Sequence, residues 1–130
     1  MEILKHLFSL LSLMLIIAGA ACAELPSATD VIVKQALAST KPVVIDLGAR
    51  ACIPCKKMAS ILESLSIELR GRGTVLFIDI RENRDAAERF RIQMIPTQIF
   101  FNAQGKEVKR HIGFIDKGDI LKELKAAGLK

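Results

Sequence analysis

The residues most able to do chemistry are two cysteines in the segment Cys52-Ile53-Pro54-Cys55. They follow an apolar run rich in β-branched residues, 43–47, and precede a segment in which apolar residues recur every three or four positions. This order predicts a strand that leads into a helix, with the first sulfur at the helix N-terminus. Unpaired N–H groups and the helix dipole favour a thiolate there, and the second cysteine lies one turn away. The pattern predicts thiol–disulfide exchange.

A structural zinc site is the main alternative use of such a cysteine pair. A structural site takes four Cys or His ligands, and beyond the pair the chain has only Cys22, His6 and His111. We expect Cys22 and His6 to lie outside the folded domain, and one further histidine does not complete a tetrahedral site. The sequence therefore favours redox use, with no metal and no other cofactor.

The first 23 residues are predicted to direct export. A short basic start precedes an uncharged apolar stretch, residues 7–23, that ends in the small residues Ala21-Cys22-Ala23. This is the pattern of a signal peptide with a small-x-small cleavage site. The second interpretation is an uncleaved membrane tether through residues 7–23, for which about 20 apolar residues are needed, and the third is lipid attachment at Cys22. All three place residues 24–130, one domain of ordinary size, outside the cytoplasm.

The composition argues against a nucleic-acid partner. The net charge of +5 is spread along the chain, which has no Trp or Tyr and carries most of its Phe residues in apolar runs. Binding of nucleic acid requires a basic face with stacking aromatics, so we interpret the charge as a solvated surface. With only two cysteines after residue 23, the domain must depend on a packed core rather than on several disulfides.

Apolar periodicity along residues 24–130 predicts the order α-β-α-β-α-β-β-α. The first helix is expected after Pro26 and should turn Val31, Ile32, Ala36 and Leu37 inward. A βαβ unit followed by a hairpin and a closing helix predicts an α/β fold: a central mixed sheet of about four strands, flanked by helices on both faces.

These elements, with the cysteine pair at the first strand–helix junction, resemble the thioredoxin fold over residues 28–127. Asp46 stands six residues before Cys52, where thioredoxins carry a buried carboxylate. The segment Ile95-Pro96-Thr97 is similar to the cis-proline element of the family. Gly113 matches the family's glycine beside the active site, and residues 102–106 match its hairpin. Four elements in the right order are far more specific than a cysteine pair alone.

Three positions depart from the family pattern. Ala51 and Gly48 stand where thioredoxins usually carry aromatic residues, and Phe77 stands where they carry a lysine near the buried carboxylate. The missing lysine predicts a raised pKa for Asp46, because burial disfavours the charged form and no cation opposes that effect.

The resemblance implies a role for each site residue. Cys52 would attack a substrate disulfide, Cys55 would resolve the mixed disulfide, and Asp46 would accept the proton of Cys55, directly or through a water. The positions expected to contact the substrate surround the cysteines: Ile53, Pro54, Ile95, Pro96 and Gly113. Pro96 is expected to be cis. His111 is interpreted as a surface residue, and Met94 as part of either the docking surface or the core.

The resemblance implies an exported thiol–disulfide oxidoreductase that reduces protein disulfides, in bacteria in the periplasm or at the outer face of the cytoplasmic membrane. Pro54 before Cys55, and Ile95 before Pro96, are similar to the reducing members of the family. A membrane-embedded thiol transporter would supply electrons, because no nicotinamide or flavin motif is present, and the protein is expected to be a monomer. An oxidase or isomerase stays open as an alternative, as does a non-catalytic or copper-delivery binding protein.

Overall fold

The structure, a computed structural model, describes Met1 and residues 24–130. The predicted signal peptide or membrane tether, together with Cys22 and His6, lies outside the described residues. None of the helices in the described part of the chain is long and apolar enough to cross a membrane.

Helices and strands alternate in the predicted order α-β-α-β-α-β-β-α. Their bounds are α1 (Asp30–Leu37), β1 (Val43–Gly48), α2 (Ile53–Glu68), β2 (Thr74–Asp79), α3 (Arg84–Arg89), β3 (Thr97–Phe101), β4 (Glu107–Ile112) and α4 (Lys117–Ala126).

The four strands form one mixed sheet in the order β2-β1-β3-β4. β1 and β2 run parallel, whereas β3 runs antiparallel to both β1 and β4. The C-terminal ends of β1, β2 and β4 therefore meet the start of β3 at one edge of the sheet. We call this the cysteine edge, because the cysteine pair follows β1 there; its strand ends are Gly48, Asp79, Thr97 and Ile112.

Helices cover both faces of this sheet. α2 and α4 pack on one face, and α1 and α3 pack on the other. Within β1, Val44 belongs to the first of these cores, whereas Val43 and Ile45 belong to the second. Every residue of β1 is buried, which explains why its sequence is continuously apolar around one acidic residue. The predicted α/β thioredoxin-like fold is confirmed.

Side chains at the N-termini fix where the helices begin. Thr29, Asn83 and Asp116 each accept a hydrogen bond from the backbone N–H three positions further on. Such caps satisfy donors that have no partner within the first turn of a helix. α2 differs, since its N-cap residue is Cys52, whose sulfur accepts from the backbone N–H of Cys55.

The predicted inward face of α1 is partly wrong. Val31 and Ile32 are 63% and 42% exposed, and the buried residues of this helix are Val33 and Ala36. Val33 and Ala36, together with the partly buried Leu37, are spaced by three and four positions and so share one helical face. An eight-residue helix with several apolar residues can be phased in two ways, and only packing against the sheet decides between them.

A glycine in the hairpin between β3 and β4 supports a prediction about stability. Gly105 has a φ of 72°, and a Cβ there would lie 2.7 Å from the backbone oxygen of Leu37. We expect Gly105→Ala to lower the free energy of unfolding by about 2–3 kcal/mol, because backbone strain and a clash with the main chain add together.

Gly71→Ala is the matched control for this substitution. Gly71 has a φ of 84°, but a Cβ there would meet no atom within 4 Å. Its cost should therefore be the backbone strain alone, about 1 kcal/mol. Urea denaturation of both variants measures the difference, and equal losses would show that the contact with Leu37 does not matter.

Candidate active site

Cys52 and Cys55 form a disulfide at the start of α2, with their Cα atoms 5.1 Å apart. The sulfur of Cys52 lies 3.4 Å from the backbone nitrogen of Cys55, which donates to it. Cys52 is partly exposed, whereas Cys55 is only 5% exposed. The first cysteine is thus partly accessible, at a helix N-terminus that favours negative charge, and the second is buried.

The first turn of α2 is suited to an anionic sulfur. It contains no acidic residue, and the exposed Lys56 and Lys57 follow the cysteine pair directly. Pro54 lies in this turn, where a missing N–H removes no helical hydrogen bond. The sequence positions the pair through ordinary helix-start chemistry, with sulfur in place of the usual capping oxygen.

Asp46 is completely buried in β1, on the same sheet as the cysteines. The sheet register places Phe77 of β2 on one side of it and Gln98 of β3 on the other. Gln98 Nε2 donates a hydrogen bond of 2.7 Å to Asp46 Oδ1. Burial raises the pKa of Asp46 to about 7, and the hydrogen bond from Gln98 opposes that rise. The predicted direction is confirmed, but the partner Gln98 was not predicted.

Cys55 rests against the strand that carries Asp46. A Cβ added to Gly48 would lie 3.2 Å from the sulfur of Cys55 and 3.4 Å from the ring of Phe77. The sulfur therefore occupies space that a side chain at position 48 would fill. Asp46 and Gly48 share one face of β1, a step of about 7 Å along the strand. The buried carboxyl thus lies one such step from the contact between Gly48 and Cys55.

The Ile95–Pro96 peptide bond is cis. Thr97 pairs with Leu47 in the sheet, so Pro96 lies beside Gly48 at the cysteine edge. The backbone N–H of Gly113 donates to the carbonyl oxygen of Pro96 at 2.8 Å. The structure therefore brings Pro96 and Gly113 together at the edge of the sheet that carries the cysteine pair.

Four apolar side chains are exposed around this edge, and we call them the docking rim: Ile53, Met94, Ile112 and Phe114, which are 73%, 63%, 54% and 47% exposed. Met94 is therefore a surface residue rather than part of the core. Phe114 was not predicted, although an aromatic residue directly after Gly113 is a signal that could have indicated it.

Arg50 attaches the start of the described domain to the site. Its guanidinium donates to Glu24 Oε2 at 2.9 Å and to the carbonyl oxygen of Leu25 at 3.1 Å, and it lies 5.1 Å from the centre of the Phe77 ring. These residues line a small recess beside Cys55. No local pattern predicts this contact, because only the fold brings residues 24 and 50 together.

His111 is half-buried on β4, opposite Gln98 in the sheet register. Its Nε2 lies 3.0 Å from the carbonyl oxygen of Phe114. Among residues 24–130, no three His, Cys, Asp or Glu side chains are grouped so that they could hold a metal ion.

A disulfide at the N-terminus of a helix that packs on a mixed four-stranded sheet, next to a cis-proline, is the arrangement of a thiol–disulfide oxidoreductase. The sequence pattern of the family described as Thioredoxin matches residues 26–126. The chain belongs to the thioredoxin family and is a protein-disulfide oxidoreductase.

Individual relatives agree with this assignment. A thioredoxin of Mycobacterium bovis is 40% identical over 97 residues, which cover 75% of this chain and 78% of that protein. A thioredoxin of Alicyclobacillus acidocaldarius is 35% identical over 96 residues, covering 74% and 90%. The bifunctional thioredoxin reductase/thioredoxin of Mycobacterium leprae is 40% identical over 88 residues, but the chain spans only 19% of its length.

Solved structures show the same fold. The chloroplastic thioredoxin z superposes with a TM-score of 0.69 at 28% identity, covering 81% of this chain and 95% of that one. A mutant thioredoxin from Halobacterium salinarum has a TM-score of 0.70 at 22% identity, covering 82% and 91%.

Proposed function

We propose that this protein is an exported disulfide reductase that acts on other exported proteins through Cys52 and Cys55. The observation that carries the proposal is the asymmetry of the pair. Cys52 is partly exposed and caps a helix, whereas Cys55 is buried against the strand that holds Asp46. Such an arrangement suits attack by the first sulfur and intramolecular release by the second.

Reduction proceeds in two exchanges. The Cys52 thiolate attacks one sulfur of the substrate disulfide, forms a mixed disulfide and expels the other substrate sulfur as a thiolate, which takes up a proton. Cys55 then loses its proton and attacks Cys52, so that the Cys52–Cys55 bond forms and the remaining substrate sulfur leaves as a thiolate. Two electrons pass from the dithiol to the substrate, and the protein ends oxidised.

Asp46 accepts the proton of Cys55 in the second exchange. Oδ2 of Asp46 has no hydrogen-bond partner among the described residues and is buried. With a pKa of about 7, the carboxyl is charged in about half of the molecules at neutral pH, so it can take up a proton and release it again.

The substrate binds as an extended segment beside the cis-proline. In this position it contacts Ile53 and Pro54 on one side, and Ile95, Pro96 and Gly113 on the other. Backbone groups next to Pro96 pair with the substrate main chain, as in other complexes that add a strand to a sheet edge. Ala51 and Gly48 stand where thioredoxins usually carry aromatic residues. Because neither has a ring, the docking rim supplies the apolar contacts to substrate side chains.

Phe114→Ala is expected to raise the KM for a protein disulfide such as insulin about 5- to 10-fold, because about 1–1.4 kcal/mol of apolar contact is lost. The rate with a small disulfide, such as hydroxyethyl disulfide, should stay unchanged because it does not reach the rim. Val108→Ala is the control, since Val108 is also exposed but lies near the start of β4, at the opposite end of the strand from the cysteine edge. An equal effect on both disulfides would show that Phe114 is not part of the docking surface.

Export is supported by the uncharged apolar stretch of residues 7–23 behind a short basic start. The protein then works in the periplasm or at the outer face of the cytoplasmic membrane, as a monomer. A membrane-embedded thiol transporter re-reduces it there, because the chain has no motif for a nicotinamide or flavin. Labelling of Cys52 in intact cells with a membrane-impermeant maleimide tests the location, and a thiol that reacts only after lysis would contradict it.

The direction of electron flow is tested by the reduction potential of the pair. We expect a value below about −230 mV, near that of reducing thioredoxins, together with activity in insulin reduction. A value near −120 mV, with activity in refolding scrambled ribonuclease, would establish an oxidase or isomerase instead. Copper binding that survives Cys52→Ser would favour the copper-delivery alternative.

A further inference from the structure

We propose that Gln98 is a positioning residue for the proton transfer: its side-chain amide holds one oxygen of Asp46 and leaves the other free for Cys55. The inference rests on the proposed function, in which Asp46 accepts the proton of Cys55. It adds a residue on β3 as the side-chain partner of the carboxyl, whereas thioredoxins usually have a lysine on β2 near that carboxyl.

Gln98 is completely buried, and its hydrogen bond to Asp46 joins two strands at the centre of the sheet. Of the described residues, Gln98 alone donates a hydrogen bond to the Asp46 carboxyl. Two oxygens of this pair, Asp46 Oδ2 and Gln98 Oε1, are buried without a partner. Buried oxygens in native proteins are usually hydrogen-bonded to protein or water, so Asp46 Oδ2 is an acceptor that a water or the thiol of Cys55 can satisfy.

The amide fixes the orientation of the carboxyl. With Oδ1 bound to Gln98 Nε2 at 2.7 Å, the carboxyl plane cannot rotate freely, and Oδ2 is held as the open acceptor. The bound oxygen lies toward β3, because Gln98 is the β3 neighbour of Asp46. Proton transfer depends on such alignment, since the acceptor must come within hydrogen-bond reach of the donor or of one bridging water.

The amide is also neutral, which distinguishes it from a lysine. A buried cation would keep the carboxyl charged at neutral pH, whereas a neutral donor offsets only part of the cost of burial. The charged and titratable groups that face this carboxyl from neighbouring elements do not bond to it: Cys55, Asp79, His111 and Arg50. Asp79 accepts from the backbone N–H of Arg50, His111 lies beyond Gln98, and the Arg50 guanidinium lies over the Phe77 ring.

The reduced full chain, with Cys22→Ser so that two thiols remain, reacts with a colour-forming aromatic disulfide in two phases. The first phase reports attack by Cys52, and the second reports release by Cys55. We expect Gln98→Met, which keeps the size but removes the donor, to move the pH midpoint of the second phase upward by about one pH unit or more. The second phase should become about fivefold slower at pH 7, or slower still for a larger shift, and the first phase should not change.

Asp46→Asn separates this inference from the proposed function. If Asp46→Asn leaves the second phase unaltered, Asp46 is not the proton acceptor and the proposed proton step fails. If Asp46→Asn slows that phase but Gln98→Met does not shift its midpoint, only the role of Gln98 is wrong. Gln98→Asn, which is one methylene shorter, replaces Gln98→Met should the latter not fold, and the same shift is expected.

His111→Gln tests whether charge on β4, rather than the Gln98 amide, sets the pH midpoint of the second phase. This variant removes the titratable ring opposite Gln98 in the sheet register and leaves the amide in place. We expect the midpoint of the second phase to stay where the wild type has it. A shift as large as that of Gln98→Met would assign the effect to the histidine and overturn the proposal.

Discussion

Cys52→Ser is expected to abolish reduction of protein disulfides, lowering the rate of insulin reduction at least about 1,000-fold. Serine has no accessible anion near neutral pH and cannot form a disulfide, so neither exchange can begin. The fold should persist, because the serine oxygen can still cap α2 and accept from the N–H of residue 55.

Cys55→Ser is the matched variant for this experiment. It keeps the attacking sulfur but removes the one that releases the substrate, so turnover stops at the mixed disulfide. The variant should accumulate a covalent complex with insulin chains on Cys52, visible by non-reducing electrophoresis and absent from Cys52→Ser. Trapping on Cys55 in the Cys52→Ser variant at a comparable rate would reverse the assigned roles.

The second large effect concerns stability and its dependence on pH. The folded carboxyl of Asp46 has a pKa of about 7 against an ordinary value of 3.8. Between these values the folded protein holds a proton that the unfolded chain has lost. Its contribution to stability is fully present below about pH 4 and is lost as the pH rises through 7. We expect this loss to reach about 3–4 kcal/mol between pH 4 and pH 8.

Asp46→Asn should remove that dependence. The difference in unfolding free energy between variant and wild type is expected to grow in favour of the variant by about 3–4 kcal/mol from pH 4 to pH 8. Urea denaturation of the oxidised proteins measures it, since neither cysteine titrates in the disulfide. Asp119→Asn, at an exposed carboxyl of α4, is the control. A constant difference at all pH values would show that Asp46 does not carry the raised pKa.

Features that depend on local pattern could be predicted from the sequence. The continuous apolar run of β1, the helical spacing after Pro54 and the cysteine pair between them depend on residues that are close in the chain. They predict a helix that begins at the first sulfur, and Cys52 is the N-cap residue of α2. The cis state of Pro96 was predicted only through the family resemblance, since most X-Pro bonds are trans.

Features that depend on register or packing could not be predicted in the same way. Gln98 meets Asp46 only because β1 and β3 pair with one particular register across 52 residues of chain. A polar residue within the apolar run of β3 was the available signal. The prediction for the inward face of α1 was partly wrong for a related reason. Packing against the sheet, and not the spacing within the helix, decides that Val33 is buried and Val31 is exposed. Export of the protein stays a prediction.

The central claim is that the N-terminus of α2 holds Cys52 as a thiolate near neutral pH. The most direct test is the rate of alkylation of Cys52 by iodoacetamide as a function of pH, in the reduced full chain with Cys22→Ser and Cys55→Ala. We predict half-maximal reactivity below about pH 7.5, against about 8.5 for a free cysteine, and a faster reaction than glutathione at pH 7. A profile that follows glutathione across the neutral range would contradict the account.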